Sequence, residues 1–104
     1  MKNEELFWSL AEDLMKEDPR VVEGTLMNGR CLRVGKAFLA RLDAKSQGLV
    51  VKLPADRVAA LIDAGKGEPF APAGKVFAEW LLVPRADRRR WRALLREGVE
   101  FVGG

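Results

Sequence analysis

Histidine and tyrosine are absent, and a single cysteine, Cys31, serves 104 residues. Each absence removes chemistry. Without histidine there is no side chain that titrates near neutral pH unperturbed, and the usual nucleophilic triads have no base. With no imidazole and one thiol, zinc and most transition-metal sites lack ligands, so no metal or other cofactor is expected. One cysteine forms no internal disulfide and suits a reducing, cytoplasmic compartment. Side-chain hydroxyls are confined to Ser9, Thr25 and Ser46. No apolar run approaches the roughly 18 residues that a membrane span requires. The opening Met1-Lys2-Asn3-Glu4-Glu5 is too acidic for a signal peptide and is not followed by a long apolar stretch. Gly65-Lys66-Gly67 lacks the spacing and the Lys-Ser/Thr ending of a phosphate-binding loop, and reads as a helix stop followed by a turn.

What remains is the composition of a globular chain: 48% apolar and 32% charged residues. Residues 1–104 read as one domain with a modest core. The net charge of +3 is unevenly laid out. Residues 1–23 hold three basic and seven acidic groups, residues 24–84 nine and five, and residues 85–104 six and three. An acidic front and a basic back attract each other, within one molecule or between two.

Residues 4–16 read as a helix, because Leu6, Phe7, Leu10, Ala11 and Leu14 fall on one face. Asn3 is placed to cap its first turn, and Asp18-Pro19 closes it. Residues 24–53 read as three strands. Gly24 opens the first, with Asn28-Gly29 a turn or bulge inside it. Gly35-Lys36 turns the chain into Ala37–Leu42, and Leu49–Leu53 is a β-branched run. The short spacings favour antiparallel pairing between neighbours. Pro54 starts a second helix, with Val58, Leu61 and Ile62 buried and Gly65 its left-handed cap. Phe70 anchors the following loop, near which a short extra strand has room to form. Val76–Val83 reads as a long strand, and residues 87–102 as a last helix with Trp91, Leu94, Leu95, Gly98 and Val102 on one side. The order α-β-β-β-α-β-α defines an α+β fold, an antiparallel sheet packed against helices.

Several of these segments also carry a family pattern. Leu32-Arg33-Val34-Gly35-Lys36-Ala37-Phe38, Gly48-Leu49-Val50-Val51-Lys52-Leu53-Pro54, Arg57-Val58, Glu79-Trp80-Leu81-Leu82-Val83-Pro84 and the closing helix with Trp91 resemble the MmcQ/YjbR-like proteins and the N-terminal domain of TfoX-type competence regulators. The resemblance implies a compact α+β fold like that of secretion chaperones. It supplies no catalytic residue.

The candidate functional residues fall in four groups. Arg88, Arg89, Arg92 and Arg96 lie within about 100° of helical arc, opposite Trp91, Leu94 and Leu95. Such a stripe either contacts phosphates in a salt-dependent way or is a solvated face turned toward the acidic first helix. Cys31 lies between Arg30 and Arg33, cations that would lower a thiol pKa, although an unpartnered strand cysteine also serves as a small core residue. Glu79 and Lys52 are charges in apolar strands, explained by a cross-strand ion pair or by a carboxylate acting as general base in a pocket. Asp13, Glu17 and Asp18 read as a solvated helix end. With Leu49, Val51 and Leu53 taken as core-facing, Val50 and Lys52 point outward. If Trp80 and Leu82 face inward, then Phe77, Glu79, Leu81 and Val83 face out. Lys52, Phe77, Glu79 and Leu81 are therefore the expected partner surface. The sequence favours a non-enzymatic protein-interaction or self-association module, with a nucleic-acid-binding domain as the alternative.

Overall fold

Apolar residues at helical spacing put Leu6, Phe7, Leu10, Ala11 and Leu14 on one side of helix α1 (Asn3–Glu17), and all five are buried. The computed structural model describes residues 2–26 and 29–104. After α1 come strands β1 (Val21–Leu26), β2 (Gly29–Val34), β3 (Ala37–Leu42) and β4 (Leu49–Lys52), helix α2 (Ala55–Asp63), the short strand β5 (Glu68–Pro69), a single 3-10 turn (Pro72–Gly74), strand β6 (Trp80–Val83) and helix α3 (Arg88–Gly103). The strands form one antiparallel sheet in the order β1-β2-β3-β4-β6-β5. The α+β class is as the sequence implies, and the extra strand before Phe70 is β5.

All three helices pack on one side of this sheet. The main core joins their apolar faces to Leu32, Leu39, Ala40, Leu49, Val51, Leu81 and Val83. Trp91 lies fully buried in the middle of that layer. Its indole N–H donates to the Arg85 carbonyl at 3.0 Å, so the one polar atom of the ring is satisfied. On α3 the seam continues through Val99, and Val102 is only partly buried against it.

The strands differ from expectation in number and extent. Four strands, not three, precede α2. The first begins at Val21, which is buried, and the ladder extends one residue further back, where the Gly35 N–H donates to the Arg20 carbonyl at 3.0 Å. Gly24 is thus inside β1. The turn or bulge expected at Asn28-Gly29 involves Asn28, which lies outside the described residues. Asn3 does not cap α1: it is the first helical residue, and its side-chain amide donates to the Gln47 carbonyl at 2.8 Å.

Val76–Val83 is not one long strand, since only Trp80–Val83 pairs. The Trp80 N–H donates to the Phe77 carbonyl at 3.1 Å, closing a turn where the strand was expected to run on. The alternation of that strand is also reversed. Leu81 stands opposite Val51 and Val83 opposite Leu49, on the helix side. Trp80 and Leu82 therefore face away from the helices, and Leu81 is a core residue rather than a partner contact. Register with β4 decides this, because residues directly opposite on antiparallel strands share a face.

A bulge in β3 sets the geometry of both faces. Leu32 pairs with Ala40 but Arg33 with Phe38, which leaves Leu39 as an extra residue. Leu39 and Ala40 are both buried on the helix side. Helix α3 then crosses β3 and β4 closely at Gly98, where an added Cβ would stand 2.8 Å from Leu39 Cδ1 and 3.1 Å from the Lys52 carbonyl oxygen. Replacing Gly98 with valine should cost about 1–3 kcal/mol through overpacking. Urea denaturation measures it, and an unchanged midpoint would show that the crossing is looser than described.

Candidate functional site

The face of the sheet turned away from the helices has no helical cover, so its own side chains must close it. Across β1 to β6 it carries Val22 and Gly24, Cys31 and Arg33, Phe38 and Arg41, Val50 and Lys52, and Trp80 and Leu82. Two arginines lie flat over the β1–β2 half. Arg33 donates to the Thr25 carbonyl at 2.8 Å and the Lys36 carbonyl at 3.0 Å. Arg41 donates to the Leu26 carbonyl at 2.6 Å and the Leu42 carbonyl at 3.2 Å. Gly24 and Gly29 leave room beneath these guanidiniums, which would meet any Cβ added there. Among the described residues neither arginine has a carboxylate partner. Cys31 is fully buried beside Arg41, outside the main helical core. The thiol is thus a packed residue and not an accessible nucleophile.

The other half of this face is aromatic. Trp80 stacks on Phe38 with centroids 4.5 Å apart, on Phe77 at 5.0 Å and on Phe70 at 5.3 Å. Phe70 is the buried anchor, whereas Phe38, Phe77 and Trp80 are half-buried. Next to them, Val76 is 61% exposed. Lys52 Nζ stands 4.0 Å from Glu79 Oε1. The ion pair explains these two charges, and Glu79 is solvent-facing rather than pocketed.

The β1 edge is open. The Gly35 N–H bond to Arg20 fixes which β1 residues turn toward β2, because their hydrogen-bonding groups alternate. The backbone groups of even-numbered residues point toward β2, so those of Glu23 and Thr25 point out of the sheet, where the Thr25 carbonyl already accepts from Arg33. Neither proline nor lysine interrupts Val21–Leu26, and Val22 is 42% exposed. The opposite edge strand, β5, has two residues and one is Pro69.

The arginine stripe is divided by the fold. Arg96 bonds Glu17 at 2.8 Å and Arg92 the same carboxylate at 3.3 Å, while Arg88 donates to the Ser9 hydroxyl at 2.9 Å. These three face α1, where Arg92 and Arg96 share the Glu17 carboxylate and Arg88 meets a neutral hydroxyl. Arg89 lies at the edge of the stripe, bordering the α2 side of α3. It joins Lys66, Arg85 and Arg90 around adjoining concavities of about 470 and 270 Å³ between the α2–β5 turn and the start of α3. Helical spacing does not group Arg85 and Arg90 with the stripe, and Lys66 belongs to a turn far away in the chain.

Other ion pairs fasten the periphery. Arg20 clamps Asp18, Arg30 clamps Glu23 at 2.7 Å, and Arg57 on α2 clamps Glu97 on α3 at 2.9 Å. Hydrogen bonds from Arg20 and Arg30 hold the Asp18 and Glu23 carboxyls below the usual carboxylate range. The same bonds push the Arg20 and Arg30 guanidinium pKa values up, and the bond to Glu97 does so for Arg57. Arg30 also lies over the Trp8 ring, 3.8 Å from its centroid. Ser46 donates its hydroxyl to Asp43 at 2.8 Å in the β3–β4 turn, so its oxygen serves local structure.

No family model, curated protein or solved structure matches this chain. Among the described residues no helix is long and apolar enough to cross a membrane.

Two measurements check this geometry. Iodoacetamide at pH 8 should leave native Cys31 unmodified and label it fully in denaturant; rapid native labelling would contradict its burial. A carboxylate pKa depressed by folding adds stability that is lost as pH falls through the folded value. Urea stability should therefore decline through the acidic carboxylate range, and the Asp18→Asn/Glu23→Gln variant should decline less. Identical acid limbs would mean that neither pair contributes.

Proposed function

We propose that this chain is a non-catalytic protein-interaction module that accepts an extended segment of a partner along β1. The observation that carries the reading is the strand-free edge of β1, where the Thr25 N–H and both backbone groups of Glu23 are directed outward and only the Thr25 carbonyl is taken, by Arg33. A strand added there gains main-chain hydrogen bonds, and its alternate side chains meet the two faces of the sheet. Beside Gly24 on the outer face lies Arg33, whose charge has no carboxylate partner among the described residues. The favoured segment therefore carries an Asp or Glu opposite Gly24.

The resemblance to YjbR-like proteins leads to the same kind of role, that of a binding fold without catalytic groups. The buried thiol and the serine hydroxyls, bonded to Arg88 and to Asp43, support it. A cytoplasmic location belongs to the proposal, because Cys31 has no disulfide partner within the chain. The alternative of a nucleic-acid-binding surface along Arg88, Arg89, Arg92 and Arg96 has less support, since three of these side chains are engaged with α1.

Selection from a displayed library of extended peptides tests the reading. Binders should be rich in acidic residues, protect the Glu23 and Thr25 amides from hydrogen exchange, and lose roughly tenfold or more in affinity to Thr25→Pro. That variant removes an outward N–H and leaves the β2 ladder intact, so its melting curve should stay cooperative. Absence of binders, or binders indifferent to Thr25→Pro, would end the proposal.

A further inference from the structure

We infer that the concavity between the α2–β5 turn and the start of α3 is a binding site for a phosphate-bearing ligand. The concavity has two adjoining parts: Lys66 and Arg90 line both, Arg85 the larger and Arg89 the smaller, and among the described residues none of the four has a carboxylate partner. This sets them apart from Arg20, Arg30, Arg57, Arg92 and Arg96, each of which is paired.

Both backbones that present these cations are fixed. Helix α2 ends with Gly65 at φ +72°, its N–H bonded to Ile62 and the Lys66 N–H bonded back to Leu61 at 2.9 Å. That double bond is the Schellman closure, which leaves Lys66 little backbone freedom. On the other wall, the Arg85 carbonyl is held by the Trp91 indole, and Asp87 caps α3 by accepting the Arg90 N–H at 3.1 Å. The backbone that presents the exposed cations is thus set before any ligand arrives, which lowers the entropy lost on binding.

The acidic groups nearby do not cancel them. Glu97 is taken by Arg57, and Asp87 is committed to the helix cap, where it answers the helix dipole. Glu68 is the remaining carboxylate of the lining. Four cations against Asp87 and Glu68 leave an excess positive charge. Guanidiniums favour phosphate because their planar donors match its oxygens in pairs. The apolar wall from Val83 and Pro84 limits screening by water on one side. Such a site takes the phosphates of a small polyphosphate or of a nucleic-acid backbone.

Nitrogen-resolved NMR titration at low salt distinguishes these sources. One arm uses tripolyphosphate and the other a short thymidine oligonucleotide. In at least one arm, saturable shifts should centre on Lys66, Arg85, Arg89 and Arg90. Lys66→Ala/Arg90→Ala should weaken that binding roughly tenfold or more, while Arg92→Ala leaves it unchanged. Saturation by tripolyphosphate alone assigns the site to small phosphates. Tighter oligonucleotide binding that falls steeply with salt assigns it to a nucleic-acid backbone. Shifts spread evenly over all surface cations, no saturation at millimolar tripolyphosphate or oligonucleotide, or an unaffected double variant would overturn the inference. A cooperative melt of the double variant keeps loss of folding separate from loss of binding.

Discussion

The close crossing of α3 over β3 and β4 at Gly98 is the contact on which the remaining architecture depends. It lets Trp91, Leu95 and Val99 reach the sheet from a helix that also supports α1, so the helical layer is complete on one face. The bulge at Leu39 contributes a second consecutive buried residue there. It also shifts the alternation of β3, so that Phe38 and Arg41, three residues apart, both face outward. Without that extra residue, one of the two would point into the core.

A sheet with helices on one face leaves the other to be closed by local means. Here the two halves use different chemistry. On β1–β2, arginine stems and guanidiniums cover small residues and bond backbone carbonyls, which buries Cys31 with no helix above it. On β4–β6, the loop before Trp80 folds back and stacks Phe70 and Phe77 against it. Long side chains suit the first half because their apolar stems cover surface while their heads remain hydrogen-bonded. In the plane of the sheet no strand covers the β1 edge and Arg33 takes only its Thr25 carbonyl, which is why the binding proposal rests there.

Charge follows the same division. The acidic first helix and part of the basic last helix meet, so Glu17 draws Arg92 and Arg96 inward. The basic groups left over gather where α2 and β6 end, a place defined by two turns rather than by one helical face. Local charge density along the chain is therefore a poor guide to the surface field, because pairing between distant segments decides which charges remain uncompensated.

The sequence by itself determined the α+β class, the buried stripe of α1, the cap at Gly65 and the inward set Leu49, Val51 and Leu53. Each follows from local periodicity or backbone sterics. The Lys52–Glu79 pairing was also legible, although Glu79 stands in the turn before β6 and not in a strand. Only the tertiary structure decided that Leu81 is core and Trp80 is not, since a strand alternates equally well in either phase until its neighbour sets the register. It likewise decided which arginines face α1 and which stand beside Lys66. Helical spacing groups residues on one element, whereas charge compensation depends on what packs against that element.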